Sequence, residues 1–148
     1  MSGNIEYQVN RSSVAQVQEH LWRCDADFIP PLSGRVSIEN YAGKIADRAT
    51  RFEAWHEGAL VGLVAAYCND TEARVAYITS VSVVREWKSY GIAANLLSQC
   101  LDYARNLGMS QVSLEVGDSN VPAIRLYEKS GFVAVETNPP FIRMDKQL

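Results

Sequence analysis

The chain has 148 residues, of which 47% are hydrophobic and 21% are charged, and it carries a net charge of −3 with a pI near 5.4. This length and balance predict a single domain over residues 1–148, and the mildly acidic charge argues against a nucleic-acid-binding protein, which would carry a basic patch. No apolar stretch reaches the roughly 18 residues of a membrane span, and the N-terminus lacks the apolar segment of a secretory signal. We therefore expect a cytoplasmic protein with no nucleic-acid or membrane partner.

The first third of the sequence predicts one strand and two helices. Residues 5–9 form a short apolar strand, and Ser12 or Ser13 can cap a helix that ends near Cys24 and presents Val14, Val17 and Leu21 on one face. Residues 25–35, DADFIPPLSGR, break both periodicities and predict a loop. Ser37 then caps a second helix, whose apolar face is formed by Ile38, Tyr41, Ala42 and Ile45.

Three strands follow in the middle of the chain. Residues 51–57 alternate like a half-buried strand, residues 60–67 are strongly apolar, and Glu57-Gly58 between them is a hairpin signal. Residues 74–84 are β-rich and predict a third strand beside them.

The last part alternates helices and strands. A helix from Ile92 to a stop at Gly108 carries one apolar stripe: Ile92, Leu96, Leu97, Cys100, Leu101, Ala104 and Leu107. Residues 111–116 predict a strand, and Asp118, Ser119 and Asn120 are capping residues before a helix with Pro122 in its first turn. Residues 132–136 and 141–144 predict two closing strands. The order β-α-α-β-β-β-α-β-α-β-β predicts a mixed sheet flanked by helices.

The cysteines and histidines show no pattern of a metal site. Cys24, Cys68 and Cys100 are far apart, odd in number and set among apolar neighbours, which favours buried reduced thiols. His20 and His56 have no second ligand nearby in the sequence, and we interpret both as ordinary surface or core residues. We expect no metal.

The most informative segment is residues 81–97, VSVVREWKSYGIAANLL, where a strand passes into a helix through Lys88-x-x-Gly91-x-Ala93. The first N–H groups of a helix have no partner within it and can hold a phosphate, and Lys88 adds a positive charge. Neither a Walker A loop nor a dinucleotide fingerprint is present. The segment therefore predicts a diphosphate site, with a plain helix start and a glycine turn as the alternative.

Three pieces in order resemble the GCN5-related N-acetyltransferases, the GNAT superfamily: the Lys88 motif, Leu114-Glu115-Val116 on the next strand, and Asn120 followed by AIRLYEKSGF from Ala123. That family usually begins the loop motif with Arg or Gln, whereas this chain has Lys88. The resemblance implies an α/β (α+β) fold with a mixed, mostly antiparallel sheet of six to seven strands and about four helices. It is also compatible with a homodimer.

The resemblance implies acetyl-CoA as co-substrate. Its pyrophosphate would lie on the loop and helix start, at Lys88, Ser89, Tyr90, Gly91, Ile92, Ala93 and Ala94. Its pantetheine arm would bond to the backbone of Val81, Ser82 and Val83. Asn120 and Ala123 would lie beside the cofactor, and a helix N-cap is the alternative role for Asn120.

Two residues are candidates for proton transfer. Tyr127 matches the family's tyrosine that protonates the departing thiolate, and a phenol and a thiol have broadly similar proton affinities. Glu115 points opposite to Leu114 and Val116 and can act as the base for the attacking ammonium, directly or through water. The alternatives are a core tyrosine and a solvated or arginine-paired carboxylate. Together they imply direct attack of an amine on the thioester, with a backbone N–H near Val83 stabilising the oxyanion.

The acceptor side is less legible. Candidate contacts with a cationic or sugar-like amine are Asp25, Asp27, Phe28, Tyr41 and Phe141, with solvent exposure or packing as the alternative for each. We expect an N-acetyltransferase acting on a small-molecule amine such as an amino sugar, amino acid, polyamine or drug-like amine. A peptide N-terminus is the alternative acceptor, because the twelve-residue spacing of Glu115 and Tyr127 is similar to that of enzymes that acetylate protein N-termini. A cofactor-binding sensor without turnover is the alternative from a different class.

Overall fold

A seven-stranded sheet with the order β1-β2-β3-β4-β5-β7-β6 forms the centre of the computed structural model, which describes residues 4–148. The elements are β1 (Glu6–Val9), α1 (Val14–Cys24), α2 (Ile38–Arg48), β2 (Thr50–His56), β3 (Ala59–Tyr67), β4 (Val75–Val83), α3 (Ile92–Asn106), β5 (Gln111–Gly117), α4 (Val121–Lys129), β6 (Val133–Asn138) and β7 (Phe141–Gln147). Strands β4 and β5 pair in parallel, and the other neighbours pair antiparallel. The predicted element order, sheet class and helix number are confirmed.

Side-chain caps begin the helices where the sequence predicts them. Ser13 rather than Ser12 caps α1, through a capping box in which Ser13 and Gln16 each bond the other's backbone N–H. Ser37 caps α2 by accepting a single hydrogen bond from the N–H of Asn40. Each cap satisfies an N–H group that the helix itself leaves unpaired.

Strands β2 and β3 of the sheet are covered on both faces, whereas β6 is exposed along its whole length. Helices α1 and α2 pack on one face against Leu63 and Ala65, and α3 and α4 pack on the other against a larger cluster that includes Val64 and Phe52. Within the described residues, no helix is long and apolar enough to cross a membrane.

Strand β2 corrects one prediction. It is buried on both faces rather than half-buried, because α2 covers one side and α3 covers the other. Glu53 on this strand is fully buried and accepts hydrogen bonds from the N–H groups of Arg11 and Ser12 and from the indole of Trp55, while Arg51 lies 3.4 Å away. A charged residue in a strand sequence therefore does not mark an exposed face when its partners are buried with it.

Two residues assigned to apolar helix faces are exposed instead. Val14 in the first turn of α1 is 46% exposed, and Leu107, just beyond the end of α3, is 50% exposed. Both lie at helix ends, where the sheet no longer covers the apolar stripe. The three cysteines are buried and unpaired, as predicted, and burial raises the pKa of the Cys24 thiol to about 11.

The centre of the sheet opens at β4. The pairing of β3 with β4 shifts between Ala65–Ser80 and Ala66–Ile78, so Thr79 is an additional residue in a β-bulge. Strand β4 pairs with β5 only over Val75 to Ile78, and the two strands then separate. Their separated ends leave main-chain hydrogen-bonding groups unpaired in the middle of the molecule.

Candidate active site

A cavity of about 580 Å³ occupies the gap between the separated ends of β4 and β5. The segment between α1 and α2 closes one side of it, and the starts of α3 and α4 close the other. The cavity lies on the continuation of both strands, at the point in the sheet where the chain offers unpaired main-chain groups to a ligand.

The loop before α3 presents free N–H groups to this cavity. Gly91 is the N-cap and has a φ of 75°, in the left-handed region that favours glycine. The first helical hydrogen bond runs from the N–H of Asn95 to the carbonyl of Gly91. The N–H groups of Ile92, Ala93 and Ala94 precede that bond, and all three residues line the cavity. This geometry is suited to an anion.

Lys88 lies at the same end of the cavity and is held by an acid. Its Nζ lies 3.2 Å from Oδ2 of Asp27, while Oδ1 of Asp27 accepts a 2.7 Å hydrogen bond from Arg85. The hydrogen bond from Arg85 and the charge of Lys88 hold the pKa of Asp27 below its usual value, so its carboxylate is ionised at neutral pH. The Asp27 carboxylate is thus the partner of Lys88 at the end of the cavity where the free N–H groups lie.

Strand β4 supplies the wall of the cavity with its main chain. The N–H of Val84 donates to the carbonyl of Val61 in β3. Because alternate residues of a strand turn their main-chain groups to the same side, Ser82 also faces β3, whereas Val81 and Val83 turn their N–H and carbonyl groups to the gap. The side chain of Ser82 packs under α1, where its hydroxyl donates to Nε2 of His20 at 2.9 Å.

Helix α4 contributes Asn120, Ala123 and Tyr127. Asn120 accepts a hydrogen bond from the N–H of Ala123 and caps the helix, and both residues also line the cavity. Tyr127 is 6% exposed, lies edge-on to Phe132 and lines the cavity from within the core. Burial raises the pKa of its phenol, which therefore stays protonated at neutral pH.

Glu115 projects from β5 on the face opposite to Leu114 and Val116, as its position in the strand predicts. It is exposed, lines the cavity, and accepts a long 3.4 Å hydrogen bond from the hydroxyl of Tyr77. Burial raises the pKa of Tyr77 to about 12, and the charge of Glu115 acts in the same direction. Glu115 and Tyr127 thus border the same cavity from opposite faces of the sheet.

The residues predicted for the acceptor side divide into two groups. Phe28, Tyr41, Phe141 and Asp27 line the cavity, and the Tyr41 hydroxyl bonds to Thr79 at the bulge. Asp27 lies beside Lys88, to which its carboxylate is paired. Asp25 instead accepts hydrogen bonds from the N–H and hydroxyl of Ser33, which stabilise the loop.

The structure places the residues that were predicted to bind the cofactor around one cavity, except for the side chain of one of them. Tyr90 is 62% exposed and contacts Trp87 in a tilted ring–ring arrangement, with its own ring outside the cavity. Sequence reasoning missed several residues of the wall: Arg35, Tyr77, Thr79, Ser80 and Trp87. Tyr77 lies on a predicted strand, two residues before the bulge. Its place on the cavity wall could have been predicted only from a sequence signal for that bulge.

Comparison with known proteins identifies relatives of one kind. The family model for the acetyltransferase (GNAT) family matches residues 14–132. An uncharacterized N-acetyltransferase of Methanocaldococcus jannaschii is 35% identical over 95 residues, which are 62% of this chain and 42% of that protein. An N-alpha-acetyltransferase of Arabidopsis thaliana is 30% identical over 83 residues, 55% of this chain and 44% of that protein. The match therefore spans less than half the length of these relatives.

A solved structure of similar fold is the PaiA N-acetyltransferase of Thermoplasma acidophilum in complex with coenzyme A. It superposes with a TM-score of 0.71 at 17% identity, over 98% of this chain and 99% of that one. At that level of identity the likeness establishes the fold.

Proposed function

This chain belongs to the GNAT family of acetyltransferases, and from that membership we propose that it transfers an acetyl group from acetyl-CoA to the primary amine of a small molecule. The observation that carries the proposal is the cavity between β4 and β5. One of its ends offers free N–H groups and Lys88, the other offers Glu115 and Tyr77, and Tyr127 borders it from the core.

The donor end fits the chemistry of a pyrophosphate. The N–H groups of residues 92–94 and the Lys88 ammonium are donors that phosphate oxygens accept from. Asp27 already provides a carboxylate to the Lys88 ammonium, which supports an anion site there. The gap-facing main chain of Val81 and Val83 is suited to the amide groups of a pantetheine arm. Acetyl-CoA, when bound, supplies an activated acetyl thioester.

The remaining steps concern protons and charge. We propose that Glu115 accepts the proton of the attacking ammonium, directly or through water, because its carboxylate is free of ion pairs within residues 4–148. The gap-facing N–H of Val83 would donate to the acetyl oxygen as negative charge develops on it. Tyr127, kept protonated by burial, would give its proton to the departing sulfur.

A peptide N-terminus is the second candidate acceptor. It is favoured by the twelve-residue spacing of Glu115 and Tyr127 and by the N-alpha-acetyltransferases among the relatives. The same cofactor site serves both acceptors, so the two differ only at the acceptor end of the cavity.

The test measures release of free thiol from acetyl-CoA with a panel of small amines and short peptides, beside calorimetric titration of acetyl-CoA. We expect calorimetric binding and amine-dependent thiol release above the spontaneous rate. Tight binding with no acceleration by any amine would favour a sensor module, and absence of binding would overturn the cofactor assignment. Faster turnover of peptides than of every small amine would favour the second candidate.

A further inference from the structure

Among the described residues, four charged side chains line the cavity, and they differ in whether they form an ion pair. Asp27 and Lys88 pair with each other at the donor end. Arg35 and Glu115 lie on the acceptor side, and neither forms an ion pair with any residue in the range 4–148. Arg143, directly opposite Glu115 in β7, instead lies 3.5 Å from both Glu136 and Asp145. The acceptor end thus holds one available cation and one available carboxylate.

Arg35 has a defined position at this end. Its guanidinium carbon lies 5.3 Å from the centre of the Phe141 ring, within the range of a cation–π contact. Phe141 is opposite Gly117, two residues from Glu115 on the same face of β5. Phe141 and Glu115 are therefore diagonal neighbours, whose backbones lie about 7–8 Å apart. Arg35 and Glu115 therefore border the same end of the cavity.

The electrostatics of Tyr77 are consistent with that arrangement. After burial, which is the main cause of its raised pKa, the carboxylate of Glu115 acts to raise it further and the charge of Arg35 acts to lower it. Both charges therefore act on the same phenol, which hydrogen-bonds Glu115.

The acids that would attract a polycation are already engaged. Asp25 bonds Ser33 within its loop, and Asp27 bonds Arg85 and Lys88. Among residues 4–148, Glu115 is left as the one free carboxylate on the cavity wall, and Arg35 opposes the approach of a second positive charge.

We propose that the acceptor is a zwitterion of the amino-acid type, whose ammonium lies at Glu115 and whose carboxylate is bound by the guanidinium of Arg35. This inference rests on the proposed acetyl transfer and names the acceptor class for it. A guanidinium binds a carboxylate through two parallel hydrogen bonds, so it also fixes the direction in which the amine points. Arg35 is thus a specificity-determining residue for small acceptors.

The experiment uses matched pairs of amines, each an L-amino acid and its carboxamide, together with spermidine as a polycation. The amide has the less basic amine and a larger free-base fraction, so reactivity alone favours the amide. A higher kcat/KM for the acid therefore reports recognition of the carboxylate. We expect the acid of at least one pair to exceed its amide, and spermidine to be a poor acceptor.

Three variants assign the preference to the guanidinium. Arg35→Gln should lower kcat/KM for the acid by about 10- to 100-fold, the range for loss of a charged hydrogen bond, and leave the amide nearly unchanged. Arg35→Lys should recover part of the loss because it restores the charge. Arg48→Gln, on the exposed end of α2 outside the cavity, is the control and should change neither value.

The failure of this inference is distinguishable from failure of the proposed function. Equal or faster acetylation of the amides or spermidine would overturn the zwitterion and leave acetyl transfer intact. If no amine is acetylated, acetyl transfer fails, and saturation-transfer NMR of the same acid and amide pairs with the CoA-loaded protein then decides. Selective, Arg35-dependent binding of the acids would support the inference, and equal or absent binding would overturn it.

Discussion

Asp27 holds Lys88 across the mouth of the cavity, with 3.2 Å between the carboxylate Oδ2 and the ammonium Nζ. The contact joins the segment after α1, on the acceptor side, to the loop before α3, on the donor side. A phosphate and a carboxylate compete for the same cation, so we expect the cofactor proposed for this site to weaken the contact between Asp27 and Lys88. Occupation of the donor end is thereby coupled to the position of the acceptor segment.

Asp27→Asn should therefore tighten the binding of CoA. An exposed ion pair contributes about 1 kcal/mol or less, so removing it should lower the Kd for CoA by about two- to fivefold. Calorimetric titration with CoA measures the change, and Asp102→Asn, which breaks an exposed pair with Arg105 on α3, is the matched control. Unchanged or weaker binding in Asp27→Asn would contradict the competition.

Tyr127→Phe should slow turnover without weakening the cofactor complex. The ring keeps its contact with Phe132 and its place in the core, so the protein should stay folded. Loss of a general acid typically costs about 100-fold or more in rate. Steady-state thiol release and calorimetric affinity for acetyl-CoA separate the two effects, and an unchanged kcat would exclude Tyr127 as the acid.

Glu115→Gln should lower turnover at neutral pH, and the turnover of the variant should recover as the pH rises. The amine loses its proton to solvent at higher pH and then needs the carboxylate less, so the gap to wild type should narrow. The measurement is kcat/KM for one amine across a pH series in both proteins. A deficit that stays constant with pH would indicate that Glu115 positions the acceptor and does not take its proton.

Gly91→Val should abolish acetyl-CoA binding in a protein that stays folded. The space around Gly91 is open, but its φ of 75° is strained for any residue with a Cβ and most for a β-branched one. The strain costs about 1–2 kcal/mol, less than the stability of a typical domain. Circular dichroism checks the fold, and calorimetry that finds normal binding would show that the loop assignment is wrong.

The buried His20 side chain should make the free energy of unfolding depend on pH. Burial lowers its pKa from 6.5 to about 4, and its Nδ1–H donates to the carbonyl of Leu60 while Nε2 accepts from Ser82. Because the folded pKa lies below the unfolded one, stability is complete above pH 6.5 and is lost as the pH falls towards 4. The loss amounts to about 3 kcal/mol.

Urea unfolding at a series of pH values measures this loss. His20→Gln should be less stable at neutral pH and should have a flatter slope between pH 4 and 6.5. His56→Gln replaces the other histidine and should keep the wild-type slope. A slope that survives in His20→Gln would assign the acid sensitivity to other groups.

Local patterns predicted those parts of the fold whose causes are local. The helix starts at Ser13, Ser37 and Asn120 depend on a hydrogen bond to a residue three positions ahead, which the sequence displays directly. The hairpin at Glu57-Gly58 needs positive φ at both residues, and both have it. The loop before α3 could be predicted for the same reason, because its small residues and its lysine are close together in the sequence.

The acceptor end depends on contacts between distant segments, and no local pattern records them. Arg35 lies in a loop without periodicity, and its position is set by Phe141, 106 residues further on. The engagement of Asp27 by Arg85 and Lys88 likewise links separate elements. Burial of Glu53 in β2 was missed because alternation reports one covered face and this strand has two.

The bulge at Thr79 lies between two parts of one cavity that would recognise their ligands in different ways. Under the proposed function, β4 beyond the bulge offers the acetyl donor its main chain, which is the same whichever side chains the strand carries. The proposed acceptor would contact individual side chains, and one of them, Arg35, belongs to a loop outside the sheet. We therefore expect substitutions in that loop to change which amine is acetylated and to leave binding of the acetyl donor unaffected.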